Sequence, residues 1–247
     1  MSGTRSDVRS DVRADARADE GVGGILYGMW FDGSNDEVCL GNNAAFNYTT
    51  DLDFTLTFVA ANPATAQTLI SKGNGSTETC WAADLSGGAL RFFGYTSGSA
   101  AKGIVSGGPA VVANTLYTAR FTFDGTTWKI FVDGVEEKSV SSAGTLRTNT
   151  EDVCIGSRSG DIKFFDGVIR DVVVKIDEAL VGTWNGYGNT DAYWEDQVGS
   201  NDGEVAGSPS RAVSTSTGWR EALDGTVSGS PSRAISENGG TTWAEET

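Results

Sequence analysis

The 247 residues contain no histidine, which excludes every Ser-His, Cys-His or histidine-metal mechanism. Carboxylates are what remains for bond-breaking chemistry. Retaining hydrolysis of a glycosidic bond needs two of them about 5 to 5.5 Å apart. The candidates are Glu136 with Glu137, Asp171 with Asp177 and Glu178, and Glu195 with Asp196. Adjacent residues of a strand point to opposite faces, so Glu136 and Glu137 cannot form such a pair. Asp171 and Asp177 lie too far apart along a strand that rises about 3.3 Å per residue. No catalytic residue is assigned, and the chain is expected not to be an enzyme.

Binding chemistry has more to work with. Asp32-Gly33-Ser34-Asn35-Asp36 offers two carboxylates and an amide in one turn. Ca2+ takes oxygen ligands from such loops, and the same side chains also cap their own backbone in tight turns. Both readings of Asp32, Asn35 and Asp36 stand, and no other cofactor is implied. A sugar site needs an aromatic face beside polar groups for the hydroxyls. Trp81, Asp84, Arg91 and Tyr95 have that composition, set against the tendency of aromatics to fill a core. Phe92 and Phe93 must face opposite sides of one strand, so at least one of them is core. Cys39, Cys80 and Cys154 are odd in number and widely spaced, without a disulfide framework or a Cys-x-x-Cys site. Each is expected as a free, small, buried apolar residue.

The elements that must hold these residues are strands. Phe121 to Lys138, FTFDGTTWKIFVDGVEEK, alternates apolar and polar residues around Asp124-Gly125 and Asp133-Gly134. Both Asp-Gly pairs are read as two-residue hairpin turns with positive φ, which makes the stretch a β-meander. In the run from Asp171 to Asp177, Val172, Val174 and Ile176 are expected to face a core and Lys175 to face outward. Hydrophobic content of 38% and 33 glycines suit one all-β domain with many tight turns. The net charge of −15 argues against a nucleic-acid backbone as partner. No stretch approaches the roughly 18 apolar residues of a membrane span, and the N-terminus lacks an apolar signal region.

Five motifs in order carry a family resemblance: FDGSNDEVCL (31 to 40), LDFTLTFVA (52 to 60), Leu69-Ile70-Ser71-Lys72-Gly73, the meander, and IGSRSGDIKFFDGVIRDVVVKIDEAL (155 to 180). From about Tyr27 to Leu180 the chain resembles the laminin G-like/concanavalin A-like lectin family. The resemblance implies an antiparallel two-sheet jelly-roll sandwich, a fold shared by lectins, hydrolases and inert virion parts. The family's WHHVA strand has its counterpart in Leu116-Tyr117-Thr118-Ala119-Arg120, without either histidine. The Glu-x-Asp-x-Glu strand of hydrolases on this jelly roll has no counterpart, nor does the manganese histidine of legume lectins.

Outside the sandwich both ends repeat. Residues 1–24 form an arm and glycine hinge, 25–182 the sandwich, and 183–247 a repetitive extension. In the arm, a four-residue unit places Arg5, Asp7, Arg9, Asp11, Arg13, Asp15, Arg17 and Asp19 at alternate positions. As a helix this sets like charges at i,i+4; as an extended arm it makes an alternating-sign ladder suited to a neighbouring subunit. As a free tail it is zwitterionic and disordered. In the extension, DGEVAGSPSRAVS (202 to 214) recurs as DGTVSGSPSRAIS (224 to 236), which implies repeated structure or a shared docking mode. Trp184, Trp194, Trp219 and Trp243 are expected to plug local cores. Together these features lead to the expectation of a bacteriophage virion structural protein: a decoration, fibre or tail-appendage subunit. Its partners are expected to be other virion proteins, copies of itself and host glycans, with no nucleic acid and no membrane. The alternative is a carbohydrate-binding lectin module of a cellular surface protein.

Overall fold

The computed structural model describes residues 27–47, 49–74, 79–96, 101–158, 163–176, 178–189, 192–215 and 218–221. The arm, the second copy of the C-terminal repeat, Trp243 and Asp177 lie outside them. Seventeen strands follow one another among the described residues: β1 (Tyr27–Asp32), β2 (Glu37–Cys39), β3 (Leu52–Ala60), β4 (Gln67–Lys72), β5 (Trp81–Ser86) and β6 (Ala89–Tyr95). Next come β7 (Ala101–Gly107), β8 (Leu116–Phe123), β9 (Thr127–Val132), β10 (Val135–Ser141), β11 (Val153–Ile155) and β12 (Asp166–Ile176). The last are β13 (Ala179–Asn189), β14 (Tyr193–Asp196), β15 (Gly203–Ala206), β16 (Ser210–Thr215) and β17 (Gly218–Glu221).

All pairings are antiparallel and fall into two sheets. The first runs β17-β16-β1-β12-β3-β8-β9-β10. The second runs β14-β15-β2-β11-β4-β5-β6-β7. Strand β13 pairs with the far half of β12, beyond the end of β1, and also with β14. It thus joins the two sheets along one side. The result is the antiparallel sandwich that the sequence patterning and the resemblance implied, drawn toward a barrel by β13.

Period-two alternation explains why the sheets close on one another. On β3 the residues Leu52, Phe54, Leu56 and Phe58 are buried while Asp53, Thr55 and Thr57 are half-buried on the other side. Phe54 touches both layers: it lies 5.4 Å from Phe121 on its own sheet and 5.1 Å from Trp81 on the other. Phe92 and Trp128 make a second cross-layer contact at 4.8 Å. Each such ring contributes about 1.5–3 kcal/mol by burial. Val172, Val174 and Ile176 are buried and Lys175 is exposed, as the alternation requires.

The meander forms, with one difference. Asp133 (φ 49) and Gly134 (φ 84) make the two-residue turn between β9 and β10. The turn between β8 and β9 is longer: Phe123 pairs with Trp128, and four residues, 124–127, lie between that pair, the last of them being the first residue of β9. Asp124 is not at positive φ. Its carboxylate instead accepts hydrogen bonds from Thr126 N, Thr126 Oγ1 and Thr127 N, and the Thr126 hydroxyl foremost holds its pKa below the usual value. An Asx-capped loop has displaced the tighter turn. On β10 the register shifts between Glu136 and Lys138, and Glu136, Glu137 and Lys138 are all exposed.

The cysteines also differ from expectation. Cys39 and Cys154 form a disulfide, and only Cys80 is a free buried thiol. The cause is register: β2 and β11 place the two residues directly opposite one another. Past residue 183, the chain keeps pairing with the sandwich through β13 to β16, and Trp184 and Trp194 are fully buried, their indole N–H groups donating to Asn201 O and Asn185 O.

Candidate functional site

Strand β6 carries the residues of interest. Leu90, Phe92 and Gly94 face the core, so Arg91, Phe93 and Tyr95 stand on the outer face of the second sheet. On β5, register pairs Asp84 with Arg91 and Ala82 with Phe93. Arg91 Nε donates to Asp84 Oδ1 at 2.8 Å, and its Nη2 donates to Oδ2. Arg158, from the segment after β11, donates its own Nη2 to Asp84 Oδ2 at 2.8 Å. Asp84 is completely buried between them, while the Arg91 side chain is 26% exposed and that of Arg158 9%. The Asp84 carboxylate foremost holds Arg91 above its already basic pKa.

Two aromatic rings continue this row. Both guanidiniums stand over Phe93, that of Arg91 4.6 Å and that of Arg158 5.0 Å from the ring centre. Phe93 meets Tyr95 edge-on at 5.9 Å. Arg147 covers Tyr95 at 5.3 Å, positioned by its own Nε–H to Thr79 O and by its backbone N–H to Tyr95 O. In a chain of net charge −15, this face holds two guanidiniums on the Asp84 carboxylate and a third, that of Arg147, over Tyr95. Tyr95 is half-buried.

Of the four residues expected at a sugar site, Asp84, Arg91 and Tyr95 share this face. Trp81 does not. It points inward, is 1% exposed and stacks on Phe54, so it cannot stack on a ligand. The alternation of β5 decides this, since Trp81, Ala83 and Leu85 are the core-facing set. Asp84 is on the correct face but has both oxygens engaged by arginines, which makes it an organiser of the site and not a contact to solvent. Arg147 and Arg158 were not singled out in the sequence, and Phe93 was named there only for its facing. Arg158 lies 74 positions from Asp84, and no local motif announces such a partner.

The Asp32 turn is a structural knot. Asp32 Oδ1 accepts from Ser34 N at 2.8 Å, Asp36 Oδ2 from Asp32 N at 2.9 Å, and Asp36 Oδ1 from Ser208 N at 2.7 Å. Asn35 is exposed beside them. Burial foremost holds Asp36 above the usual carboxylate range, against the pull of its Ser208 and Asp32 backbone donors. The three metal-type ligand groups that do converge among the described residues are Glu37, Cys39 and Cys154, and two of these are the disulfide. Three of the candidate carboxylates for catalysis are engaged as well. Glu136 pairs with Lys129 at 2.8 Å, Asp171 with Arg170 at 3.0 Å, and Asp196 accepts from Thr183, Val198 and Asn201 backbone N–H groups.

Comparison with solved structures finds the same architecture in other proteins. A candidate carbohydrate-binding protein from Bacteroides ovatus aligns with a TM-score of 0.59 at 13% identity, covering 76% of this chain and 59% of that one. The carbohydrate-binding module CBM40 of the Ruminococcus gnavus IT-sialidase, bound to α2,3-sialyllactose, aligns at 0.52 and 15% identity, covering 62% and 92%. Domains LG4-5 of the mouse laminin alpha1 chain align at 0.50 and 15% identity, covering 64% and 44%. At these identities the likeness is one of fold. No curated protein matches the chain. No helix among the described residues is long and apolar enough to cross a membrane. A family model matches residues 32–180, more than half of the chain, and the protein belongs to the concanavalin A-like lectin/glucanases superfamily.

Proposed function

We propose that this chain is a non-enzymatic glycan-binding protein whose lectin-like domain takes a carboxylated sugar on the outer face of β6. The observation that carries the reading is the row of Arg91, Phe93, Tyr95 and Arg147 outside the core. Arg91 is fixed by Asp84 and Arg147 by Thr79, so neither side chain has to be ordered when ligand arrives, which lowers the cost of binding. The Tyr95 ring supplies an apolar edge for a pyranose, and guanidiniums recognise carboxylates by paired hydrogen bonds. Because the R. gnavus module that shares the fold is bound to sialyllactose, that sugar is the first probe. In calorimetric or NMR titration of the full chain, sialyllactose should bind and neutral lactose should bind at least tenfold more weakly. Arg147→Ala and Tyr95→Ala should each abolish the difference. Equal affinity for both sugars, or unchanged binding by both variants, would remove the assignment.

The finer reading is that the chain is a virion structural subunit of a bacteriophage, in which many copies turn weak single sites into useful avidity. The Arg/Asp arm of residues 5–19 favours it as an anchor to other virion proteins or to copies of itself. The Cys39–Cys154 disulfide suits a protein exposed on a particle or cell surface. Mass spectrometry of purified particles tests this directly, and particles assembled with a chain lacking residues 1–20 should lose the protein. Unchanged occupancy would refute the anchoring role of the arm, and absence of the full-length protein from purified particles would leave the other reading, a lectin module of a cellular surface protein.

A further inference from the structure

The first copy of the C-terminal repeat shows what the second copy is able to do. Residues 202–214 plug a cleft formed by β1 and β2. Strand β15 adds to β2 with Val205 opposite Val38, and β16 adds to β1 with Ala212 opposite Gly28. Between the two strands the chain turns at Gly207 (φ +83), where a Cβ would lie 2.5 Å from both Asn35 O and Asp36 Oδ1. The next N–H, that of Ser208, binds the buried Asp36 carboxylate. At Gly203 a Cβ would lie 2.4 Å from Val38 Cγ1 and 2.8 Å from Leu40 Cδ2. Ala212 is fully buried in a small cluster with Val59 and Val168.

The plug therefore makes stringent demands at 203, 207, 208 and 212. Twenty-two positions further on, every one is met again, by Gly225, Gly229, Ser230 and Ala234. Val227 repeats Val205 as well. Of the three positions that differ across the 13 residues, 204 and 206 are exposed in the first copy, and the third exchanges Val213 for Ile235. Beyond residue 214 the resemblance fades: Trp219, Arg220 and Glu221 of β17 are replaced by Thr241, Thr242 and Trp243. The duplicated portion is the portion that docks.

We propose that residues 224–236 are a second plug for the same cleft and that they enter it on a neighbouring copy of this chain, displacing that copy's residues 202–214. A chain holds two plugs and one such cleft, and the nearer plug fills the cleft of its own chain. The farther plug is then left for a partner. Because the second segment carries the same residues at the positions that pair, turn and donate to Asp36 in the first, the exchange would leave the contacts made in the cleft unchanged. It is governed by concentration. Tethering gives the resident plug an effective concentration in the millimolar range, so isolated chains stay closed and chains crowded in an array become linked. The proposal stands apart from the glycan reading.

Cross-linking of full-length protein tests it. Tyr27 lies opposite Val213, whose counterpart in the second copy is Ile235. In the double variant Tyr27→Cys/Ile235→Cys, oxidation should yield disulfide-linked dimers and larger species whose fraction rises with protein concentration. The control Tyr27→Cys/Val213→Cys should give a link within one chain. Adding Gly229→Val to the first variant should reduce the linked oligomers at least tenfold while leaving the fold of the first copy untouched. Adding Gly207→Val should instead increase them. Failure to cross-link at any concentration, links confined within one chain, or indifference to Gly229→Val would each overturn the proposal.

Discussion

Cys39 and Cys154 face one another across neighbouring antiparallel strands with their Cα atoms 4.1 Å apart, closing a loop over a sequence separation of 115. A loop of that length restricts the unfolded chain strongly, and its closure contributes on the order of 4 kcal/mol. The urea midpoint should therefore fall markedly in reductant or in Cys39→Ser/Cys154→Ser. Thiol titration in denaturant should count one free thiol without reductant and three with it. Three without reductant would show that the bond is not formed.

Asp84 anchors two guanidiniums while being wholly buried. Removing one member of a buried ionic cluster leaves uncompensated charge, typically at about 3–5 kcal/mol. Asp84→Ala should lose that much stability in chemical denaturation and also loosen the Arg91–Phe93 contact. Arg91→Ala, with its partly exposed side chain, should cost less. The reverse order would mean that Asp84 is not the centre of the cluster.

Asp166 faces Asp32 across the β1–β12 register, and burial, then the Asp32 charge, hold its carboxyl above the usual 3.8. A raised folded-state pKa favours the protonated form. Its contribution to stability is thus fully present below pH 3.8 and is lost as pH rises through the folded value. Asp166→Asn should accordingly be more stable than the parent at pH 7, with the advantage vanishing near pH 3.5. An advantage independent of pH would point to some cause other than charge.

Val174 is 1% exposed on the core side of β12. Val174→Asp places an unpaired charge between the sheets and should cost several kcal/mol. Lys175→Asp, one residue along on the solvent side, should stay within about 0.5 kcal/mol of the parent in thermal melts. Equal effects at the two positions would contradict the register.

Local pattern carried most of the fold. The alternation of β8, β9 and β12 and the Asp133-Gly134 turn are properties of neighbouring residues, and these were legible. What escaped was set by register between distant strands: the cystine needs β2 beside β11, and the Arg158–Asp84 contact needs the segment after β11 to cross β5. The inward direction of Trp81 follows from the phase of β5, which Ala82 and Ala83 do not reveal because either fits either face. The four-residue loop after Phe123 was hidden for another reason. Asp124 has threonines at 126 and 127 that satisfy its carboxylate, and this local bonding outweighs the preference of an Asp-Gly pair for a tighter turn.

The exposed, kinked run Glu136-Glu137-Lys138 lies on β10, the last strand of its sheet. An open sheet margin is a template on which another polypeptide can zip up and from which fibrils grow. Charge on that rim, together with the break in its regular spacing, makes it a poor template. A copy of this domain brought against another is thus poorly placed to fuse with it along this margin.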